Sequence, residues 1–297
     1  MRKPVFEGAG VAIVTPFADN GVNYEKLEEL IEFQIKNGID SIVICGTTGE
    51  ASTMPDEEHV AVAKFAVDAV RGRVPVVAGA GSNDTRHAID LSRTLEEVGV
   101  DALLHVTPYY NKTTQAGLVA HFTATAQAVK IPIILYNVPG RTNLNMMPET
   151  LAELSKVENI VGVKECNLDQ LAASINYCES DFAFYSGEDA NILPLMLWGG
   201  KGVISVMANI IPRDTHDLCA KYFAGDIDGA RKIALKTIDL VKALFCEVSP
   251  VPTKEAMNQL GMGVGICRLP LIEISAGGRE AVRKALAQYG LSKQQEA

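Results

Sequence analysis

The sequence predicts an α/β protein whose core is a (β/α)8, or TIM, barrel, followed by a helical appendage at the C-terminus. Eight short runs rich in β-branched residues recur along the 297-residue chain, separated by longer stretches with the apolar period of amphipathic helices. The strand runs are almost continuously apolar, as in parallel strands that are covered on both faces. A doubly wound sheet usually carries a phosphate-binding glycine fingerprint after its first strand, whereas the first run here ends in Thr-Pro-Phe.

The individual elements follow from local residue patterns. Gly, Pro, Asn and Asp residues bound the strand runs, and helical patterns lie between them. Asn37-Gly38, Arg71-Gly72 and Val98-Gly99 close three of these helices, and Pro148 opens another. The predicted strands cover residues 10–17, 41–46, 74–81, 102–108, 132–138, 160–165, 182–187 and 202–207.

After residue 207 the alternation stops. Only helices are predicted there, at 212–225, 227–247, 253–261 and 279–290. The first of these completes the barrel, so we divide the chain into a barrel domain, residues 1–226, and a C-terminal helical domain, residues 227–297. Ser249-Pro250-Val251-Pro252 is predicted to form a stiff link within the second domain.

The composition excludes two classes of partner. The chain carries 27 Lys and Arg residues against 36 Asp and Glu, a net charge of −9, without any run of basic residues. Nucleic acids and anionic membranes require a basic face, so neither is an expected partner. No apolar run reaches the roughly 18 residues of a membrane span, and we expect a mature N-terminus because the start lacks the apolar core of a signal peptide.

The spacing of cysteines and histidines argues against disulfides and metal centres. The six cysteines lie far apart without a C-x-x-C pair, as is typical of reduced core residues, so a cytoplasmic protein is expected. The five histidines show neither H-x-H nor H-E-x-x-H spacing, which disfavours a metal site.

In a (β/α)8 barrel the active site lies at the carboxyl ends of the strands, and Lys164 is the first candidate there. It follows the run Ile-Val-Gly-Val, so if Gly162 and Lys164 share one face of the strand, both point into the barrel. A desolvated amine has a lowered pKa, and its neutral form can attack a ketone to give a Schiff base. The alternative is a strand-end lysine whose ammonium reaches solvent.

Hydroxyl groups and an arginine occur at other strand ends. The turn Gly46-Thr47-Thr48-Gly49-Glu50 offers free backbone N–H groups and two hydroxyls for a carboxylate, although such a turn is often only the entry to a helix. Tyr136 and Tyr110 can transfer protons if their hydroxyls reach the reacting centre, or can simply pack against the backbone. Arg141 suits a second carboxylate, or is a solvated loop residue.

Six motifs occur in an order that resembles one family. They are GTTGE at 46–50, VTPYYN at 106–111, YNVPGRT at 136–142, GVKE at 162–165, YSGED at 185–189 and GVISVMAN at 202–209. Together they resemble the dihydrodipicolinate synthase family of pyruvate-dependent class I aldolases. The resemblance implies a lyase that condenses pyruvate with L-aspartate 4-semialdehyde to 4-hydroxy-tetrahydrodipicolinate, for lysine and diaminopimelate biosynthesis. It further implies that no external cofactor is needed and that the protein is a homotetramer, a dimer of dimers.

The resemblance also assigns catalytic roles to matching residues. Lys164 is expected to form the Schiff base with pyruvate, and Tyr136 to donate and accept protons. Thr47 and Tyr110 are expected to complete a proton relay, in which Tyr110 comes from a neighbouring subunit.

Substrate binding and regulation are implied in the same way. Thr48 and the backbone at Ile204 are expected to contact pyruvate, and Arg141 to hold the carboxylate of the semialdehyde. Members inhibited by lysine commonly carry His where this chain has Asp56 and Glu where it has His87. These two differences favour weak inhibition by lysine, because the chain has His87 in place of the glutamate whose carboxylate would pair with the effector's ammonium.

Two alternatives remain open. Another pyruvate-dependent aldolase, acting on N-acetylneuraminate or a keto-deoxy-sugar acid, would keep Lys164 and Tyr136 but would need polar groups for a sugar chain. A non-catalytic barrel that binds a small ligand or a protein partner would form no covalent adduct with pyruvate.

Overall fold

Eight parallel strands close into a barrel in the computed structural model, which describes residues 2–292. Each strand pairs with its neighbours in the sequence, and the last pairs with the first, so the predicted (β/α)8 barrel is confirmed. The first predicted run extends past its strand into a short hairpin of Phe17–Ala18 with Gly21–Val22. The barrel strands are β1 Gly8–Ala12, β2 Ser41–Ile44, β3 Val76–Gly79, β4 Ala102–Val106, β5 Ile133–Asn137, β6 Ile160–Glu165, β7 Ala183–Ser186 and β8 Gly202–Ser205.

Helices cover the outside of the barrel, and polar side chains cap several of their amino termini. Asn23, Asp84, Thr114, Asp226 and Ser275 each accept a hydrogen bond from a first-turn backbone N–H, a donor that has no partner within its helix. The helices are α1 Tyr24–Lys36, α2 Asp56–Val70, α3 Thr85–Glu97, α4 Gln115–Ala126, α5 Pro139–Thr142, α6 Pro148–Leu154, α7 Leu171–Tyr177, α8 Ile192–Leu197, α9 Pro212–Phe223, α10 Ile227–Leu244, α11 Val251–Gln259 and α12 Ala276–Tyr289.

The barrel wall separates two apolar cores. Inward-facing side chains such as Ile134 and Ile204 fill the interior, and a larger cluster fills the space between strands and helices. Phe6, just before β1, stacks on Tyr185 of β7 with ring centroids 4.5 Å apart and closes the amino-terminal end. The carboxyl-terminal end is therefore the end that can receive a ligand.

The helices after the barrel pack onto its outer core, since Met257 and Val282 belong to the same buried cluster as the barrel strands. The division into two domains stays a prediction. The predicted stiff link is wrong, because α11 begins at Val251, with Pro250 as its N-cap and Pro252 in its first turn. Prolines are tolerated there because the first helical N–H groups have no acceptor within the helix. Over residues 2–292, no helix is long and apolar enough to cross a membrane.

Candidate active site

Lys164 lies near the end of β6 with its side chain inside the barrel. Its Cα pairs with Tyr136 of β5 on one side and with Tyr185 of β7 on the other. The residue is 5% exposed, and Nζ lies 4.3 Å from the centroid of the Tyr136 ring. The strand has thus carried an amine into the apolar interior, as the alternation of side chains predicts.

A glycine leaves the space that this amine occupies. A Cβ at Gly187, just after β7, would lie 3.2 Å from Cε of Lys164 and 2.3 Å from Sγ of Cys166. The second distance is far below a van der Waals contact, so a side chain at this position would displace the thiol. Gly187 therefore lets the lysine and cysteine side chains lie together above the barrel core.

Burial lowers the pKa of Lys164, since the interior disfavours the charged form. The negative charges of Cys166 and Asp189 would raise the pKa of this amine and so oppose the effect of burial, whereas the positive charge of Arg141 lowers the pKa further. An amine with a lowered pKa has a larger neutral fraction near pH 7, and the neutral form is the nucleophile.

Tyr136 and Thr47 bring hydroxyl groups to this amine. Burial raises the pKa of Tyr136, while positive Arg141 and a hydrogen bond with Thr47 act in opposition. The phenol is therefore protonated at neutral pH and can donate its proton. Thr47, in the turn after β2, is the more exposed partner and faces the open end of the barrel.

A cleft of about 460 Å³ opens beside these residues. Thr47, Tyr136 and Arg141 all line it, so the structure brings three predicted site residues to one surface. Arg141 is an exposed residue of helix α5, and its guanidinium donates a hydrogen bond to the Ser249 carbonyl at 3.2 Å. The Lys164 amine lies deeper than this cleft, against the ring of Tyr136.

The other predicted residues occupy different positions. Thr48 is buried beside Thr47, and Ile204 is buried on β8 among the side chains of the barrel interior. Tyr110 is 92% exposed and has a left-handed backbone with φ of 66°, so its own chain does not bring its hydroxyl to the cleft.

The comparisons with known proteins agree with this geometry. Residues 5–289 match the model of the dihydrodipicolinate synthetase family. The chain belongs to this family. It is 61% identical to the 4-hydroxy-tetrahydrodipicolinate synthase of Acetivibrio thermocellus, over 98% of this chain and all of that one.

Solved structures of the family have the same fold. The dihydrodipicolinate synthase of Aquifex aeolicus superposes with a TM-score of 0.95 at 44% identity, covering 98% of this chain and all of that one. The enzyme of Cyanidioschyzon merolae, solved with lysine bound, gives a TM-score of 0.93 at 39% identity, covering 97% of this chain and all of that one.

Sequence reasoning did not single out two residues that lie beside the predicted site. Cys166 follows Lys164 by two positions and shares its side of the strand, so continuing the alternation from Gly162 would have found it. Asp189 accepts hydrogen bonds from the Ser205 hydroxyl at 2.5 Å and from the N–H groups of Val206 and Met207 at 3.0 and 2.8 Å. It thereby holds the chain where β8 ends.

Asp56 and His87 lie at the far side of the same cleft, on α2 and α3. Nε2 of the imidazole lies 2.9 and 3.1 Å from the two carboxylate oxygens, so the acid and the base pair with each other. The weak response to lysine expected from these two residues stays a prediction.

Proposed function

We propose that this chain is a 4-hydroxy-tetrahydrodipicolinate synthase, which condenses pyruvate with L-aspartate 4-semialdehyde through a Schiff base on Lys164. The observation that carries the proposal is the buried amine of Lys164 against the ring of Tyr136. The family membership supports the choice of substrates.

The two buried lysines of residues 2–292 differ in a way that selects the nucleophile. Burial lowers the pKa of both, but Lys254, which is 2% exposed, lies 2.6 Å from a carboxylate oxygen of Glu50, and this ion pair opposes the lowering. Lys164 has no carboxylate in ion-pair distance among the described residues. Its amine, without an ion-pair partner and beside Tyr136, is therefore better placed than that of Lys254 to become neutral and attack a carbonyl.

The proposed reaction begins when the amine attacks C2 of pyruvate and forms a C–N bond. Tyr136 donates a proton to the hydroxyl of the resulting carbinolamine, which leaves as water and gives the Schiff base. Loss of a proton from C3 then gives the enamine, with the protonated nitrogen as electron sink. Thr47, which lines the cleft with Tyr136, passes protons between the phenol and the cleft.

The second substrate would bind at the cleft wall. Arg141 presents a guanidinium there, suited to the carboxylate of the semialdehyde. The enamine carbon attacks the aldehyde and forms the new C–C bond. The semialdehyde's amine then attacks C2, closes the ring and displaces Lys164. Thr48 and the backbone at Ile204 are the proposed contacts of the pyruvate carboxylate.

Borohydride reduction in the presence of pyruvate tests the proposal. We expect a reduced pyruvate adduct on the peptide that contains Lys164 and none on the peptide that contains Lys254, the matched buried lysine. Lys164→Arg should abolish the adduct. No adduct on the folded wild-type protein, or an adduct on Lys254 alone, would contradict the proposal.

The choice of second substrate needs a separate assay. Pyruvate with L-aspartate 4-semialdehyde should give a cyclic product, while N-acetylneuraminate should not be cleaved. Cleavage of the sugar acid without ring formation from the semialdehyde would instead select the other aldolase activity.

We further propose that the protein assembles as a homotetramer built from dimers and works in the cytoplasm. The exposed position of Tyr110 supports an assembly in which this hydroxyl reaches a neighbouring subunit. All six cysteines are free, which fits a reducing compartment.

A further inference from the structure

The last residue of the GTTGE turn points away from the cleft and into the C-terminal helices. Glu50 has a left-handed backbone with φ of 57° and is 2% exposed. Its Oε1 lies 2.6 Å from Nζ of Lys254 in α11, and its Oε2 accepts a hydrogen bond from the backbone N–H of Arg268 at 2.9 Å. A single carboxylate thus contacts two points of the chain more than 200 residues away.

Further charges and a ring complete this buried cluster. The Arg268 guanidinium pairs with Glu58 of α2 through both terminal nitrogens, one of them at 2.8 Å. The ring of Phe17 contacts both cations, with its centroid 4.4 Å from Nζ of Lys254 and 4.0 Å from Cζ of Arg268. Two acids and two bases balance, and removal of Glu50 or Lys254, the two buried members, leaves an uncompensated charge away from water.

The cluster is directly connected to the catalytic turn. The N–H of Glu50 donates to the carbonyl of Thr47 at 3.1 Å, and the Thr15 hydroxyl donates to the carbonyl of Gly49 at 2.7 Å. Thr48 lies between these bonds, two residues before Glu50. A movement of the Glu50 backbone therefore changes the position of both threonines.

We propose that Glu50 and Lys254 are positioning residues, through which the segment 254–268 holds Thr47 and Thr48 in their catalytic geometry. The inference rests on the proposed function for the roles of the two threonines. It gives the C-terminal helices a part in the active site, although they contribute no group to the reaction. The left-handed backbone of Glu50 supports it, since this conformation is costly for a non-glycine residue and requires outside contacts.

Glu50→Gln and Lys254→Met each remove one charge, and the double variant removes both. We expect Glu50→Gln to lower kcat/KM for pyruvate about 10- to 100-fold, because small misplacements of a binding group cost this much. The loss should be non-additive with that of Thr48→Ala, since both act through the same contact. If the single variants fail to fold, the double variant, which buries no unpaired charge, serves for both comparisons.

Asp181→Asn is the matched control. Asp181 pairs with Arg2, Oδ1 to Nη2 at 2.7 Å, and ties the other end of the chain to the barrel away from the turn. The substitution Asp181→Asn should lower the melting temperature without changing kcat/KM for pyruvate. Equal losses in Asp181→Asn and Glu50→Gln at similar stability, or multiplicative effects of Glu50→Gln and Thr48→Ala, would overturn the proposal.

Hydrogen exchange provides a readout that is independent of the reaction. The peptide spanning residues 46–53 should exchange faster in Glu50→Gln, or in the double variant, than in the wild type. Its exchange rate in Asp181→Asn should equal that of the wild type. Unchanged exchange in every Glu50 variant would reject the positioning role, even if pyruvate trapping succeeds. Faster exchange with no pyruvate adduct on the wild type would reject the proposed function and keep the contact.

Discussion

The amine of Lys164 is under opposing influences, and Arg141 is the positive group among those that act on it. Burial is the largest influence on the pKa of this lysine and lowers it, and the guanidinium acts in the same direction. Arg141 would therefore have two roles, one in binding a carboxylate and one in keeping the amine neutral. The two roles can be separated, because only the second concerns pyruvate alone.

Arg141→Gln should raise the pKa of Lys164 and slow adduct formation near neutral pH. A higher pKa leaves less neutral amine at a given pH, so the acidic limb of the trapping rate moves to higher pH. The rate of borohydride trapping with pyruvate alone, measured from pH 6 to 10, reports this limb.

Arg141→Lys, which keeps the positive charge, should leave the limb in place. The same limb in the Gln and Lys variants would show that the charge of Arg141 does not act on the amine.

Two buried tyrosines flank Lys164, and they differ in what their hydroxyls contact. Tyr136 lines the cleft together with Thr47, whereas Tyr185 donates to the carbonyl of Phe6 at 2.7 Å at the closed end. Their strands are the immediate neighbours of β6 on either side. This pair provides a matched comparison.

Tyr136→Phe should lower kcat by about 10²- to 10⁴-fold, the usual loss for a general acid, and leave the melting temperature little changed. Tyr185→Phe should instead lower the free energy of unfolding by about 1–3 kcal/mol, because the buried carbonyl of Phe6 loses its donor. Its kcat should be nearly unchanged. Steady-state kinetics and thermal unfolding of both variants decide the matter. A similar loss of kcat in the two would leave Tyr136 without a special role.

At the scale of elements, the alternation of β5 and β6 directs neighbouring residues to opposite sides of the barrel wall. Tyr136 and Lys164 point inward, and the paired residues Asn137 and Glu165 point outward. The Glu165 carboxylate accepts hydrogen bonds from the Asn137 side chain at 2.9 and 3.1 Å, from the Asn167 N–H at 2.7 Å and from Gln170 at 3.1 Å. These bonds fix the strand ends that carry Tyr136 and Lys164.

Glu165→Gln should lower the free energy of unfolding by about 1–3 kcal/mol, because its new NH₂ group would face donors. Burial raises the pKa of Glu165 to about 7, above the ~4.3 of an unfolded chain. At a pH between these two values, Glu165 keeps its proton in the native state and loses it in the unfolded chain. The contribution of this group to the stability of the wild type therefore falls as pH rises from 5 to 7.

Thermal unfolding of wild type and Glu165→Gln from pH 5 to 8 measures both effects. The pH-dependent contribution of Glu165 disappears in the variant. The difference in stability between wild type and Glu165→Gln should therefore shrink as pH rises to 7. Parallel curves would contradict the raised pKa.

At the scale of the whole molecule, one chain lacks part of the expected relay. Tyr110 is almost fully exposed and lies outside the cleft that holds Thr47 and Tyr136. A second copy of the chain must then supply the hydroxyl, if the relay includes this tyrosine. Large apolar side chains are exposed elsewhere too, including Leu197 and Trp198 at the end of α8, a surface suited to further association.

Mixing two inactive variants tests the shared site. Lys164→Ala chains and Tyr110→Phe chains should each lose most turnover. A mixed dimer should recover activity, because the Tyr110→Phe chain keeps its lysine and receives an intact tyrosine from its partner. Turnover after joint dissociation and reassembly is the measurement, with unmixed samples treated identically. No recovery in demonstrated mixed dimers would place Tyr110 in the site of its own chain or outside the reaction.

Much of the fold was predictable because it depends on short-range patterns. Apolar runs at regular intervals indicate eight parallel strands, and the end of each strand must lie at one end of the barrel. The inward position of Lys164 was predicted in this way and is confirmed, while its role stays a prediction. The link predicted at 249–252 failed, since the sequence shows that proline restricts the chain but does not show that it starts a helix there.

The amino-acid sequence by itself determined the barrel and the inward position of Lys164 at its carboxyl-terminal end, because alternation and apolar runs are local properties. Only the tertiary structure decided that Lys254 is paired while Lys164 is not, and that Glu50 connects the catalytic turn to α11. These contacts join residues some 200 positions apart, and no periodic pattern specifies which distant charge will enter a given cavity.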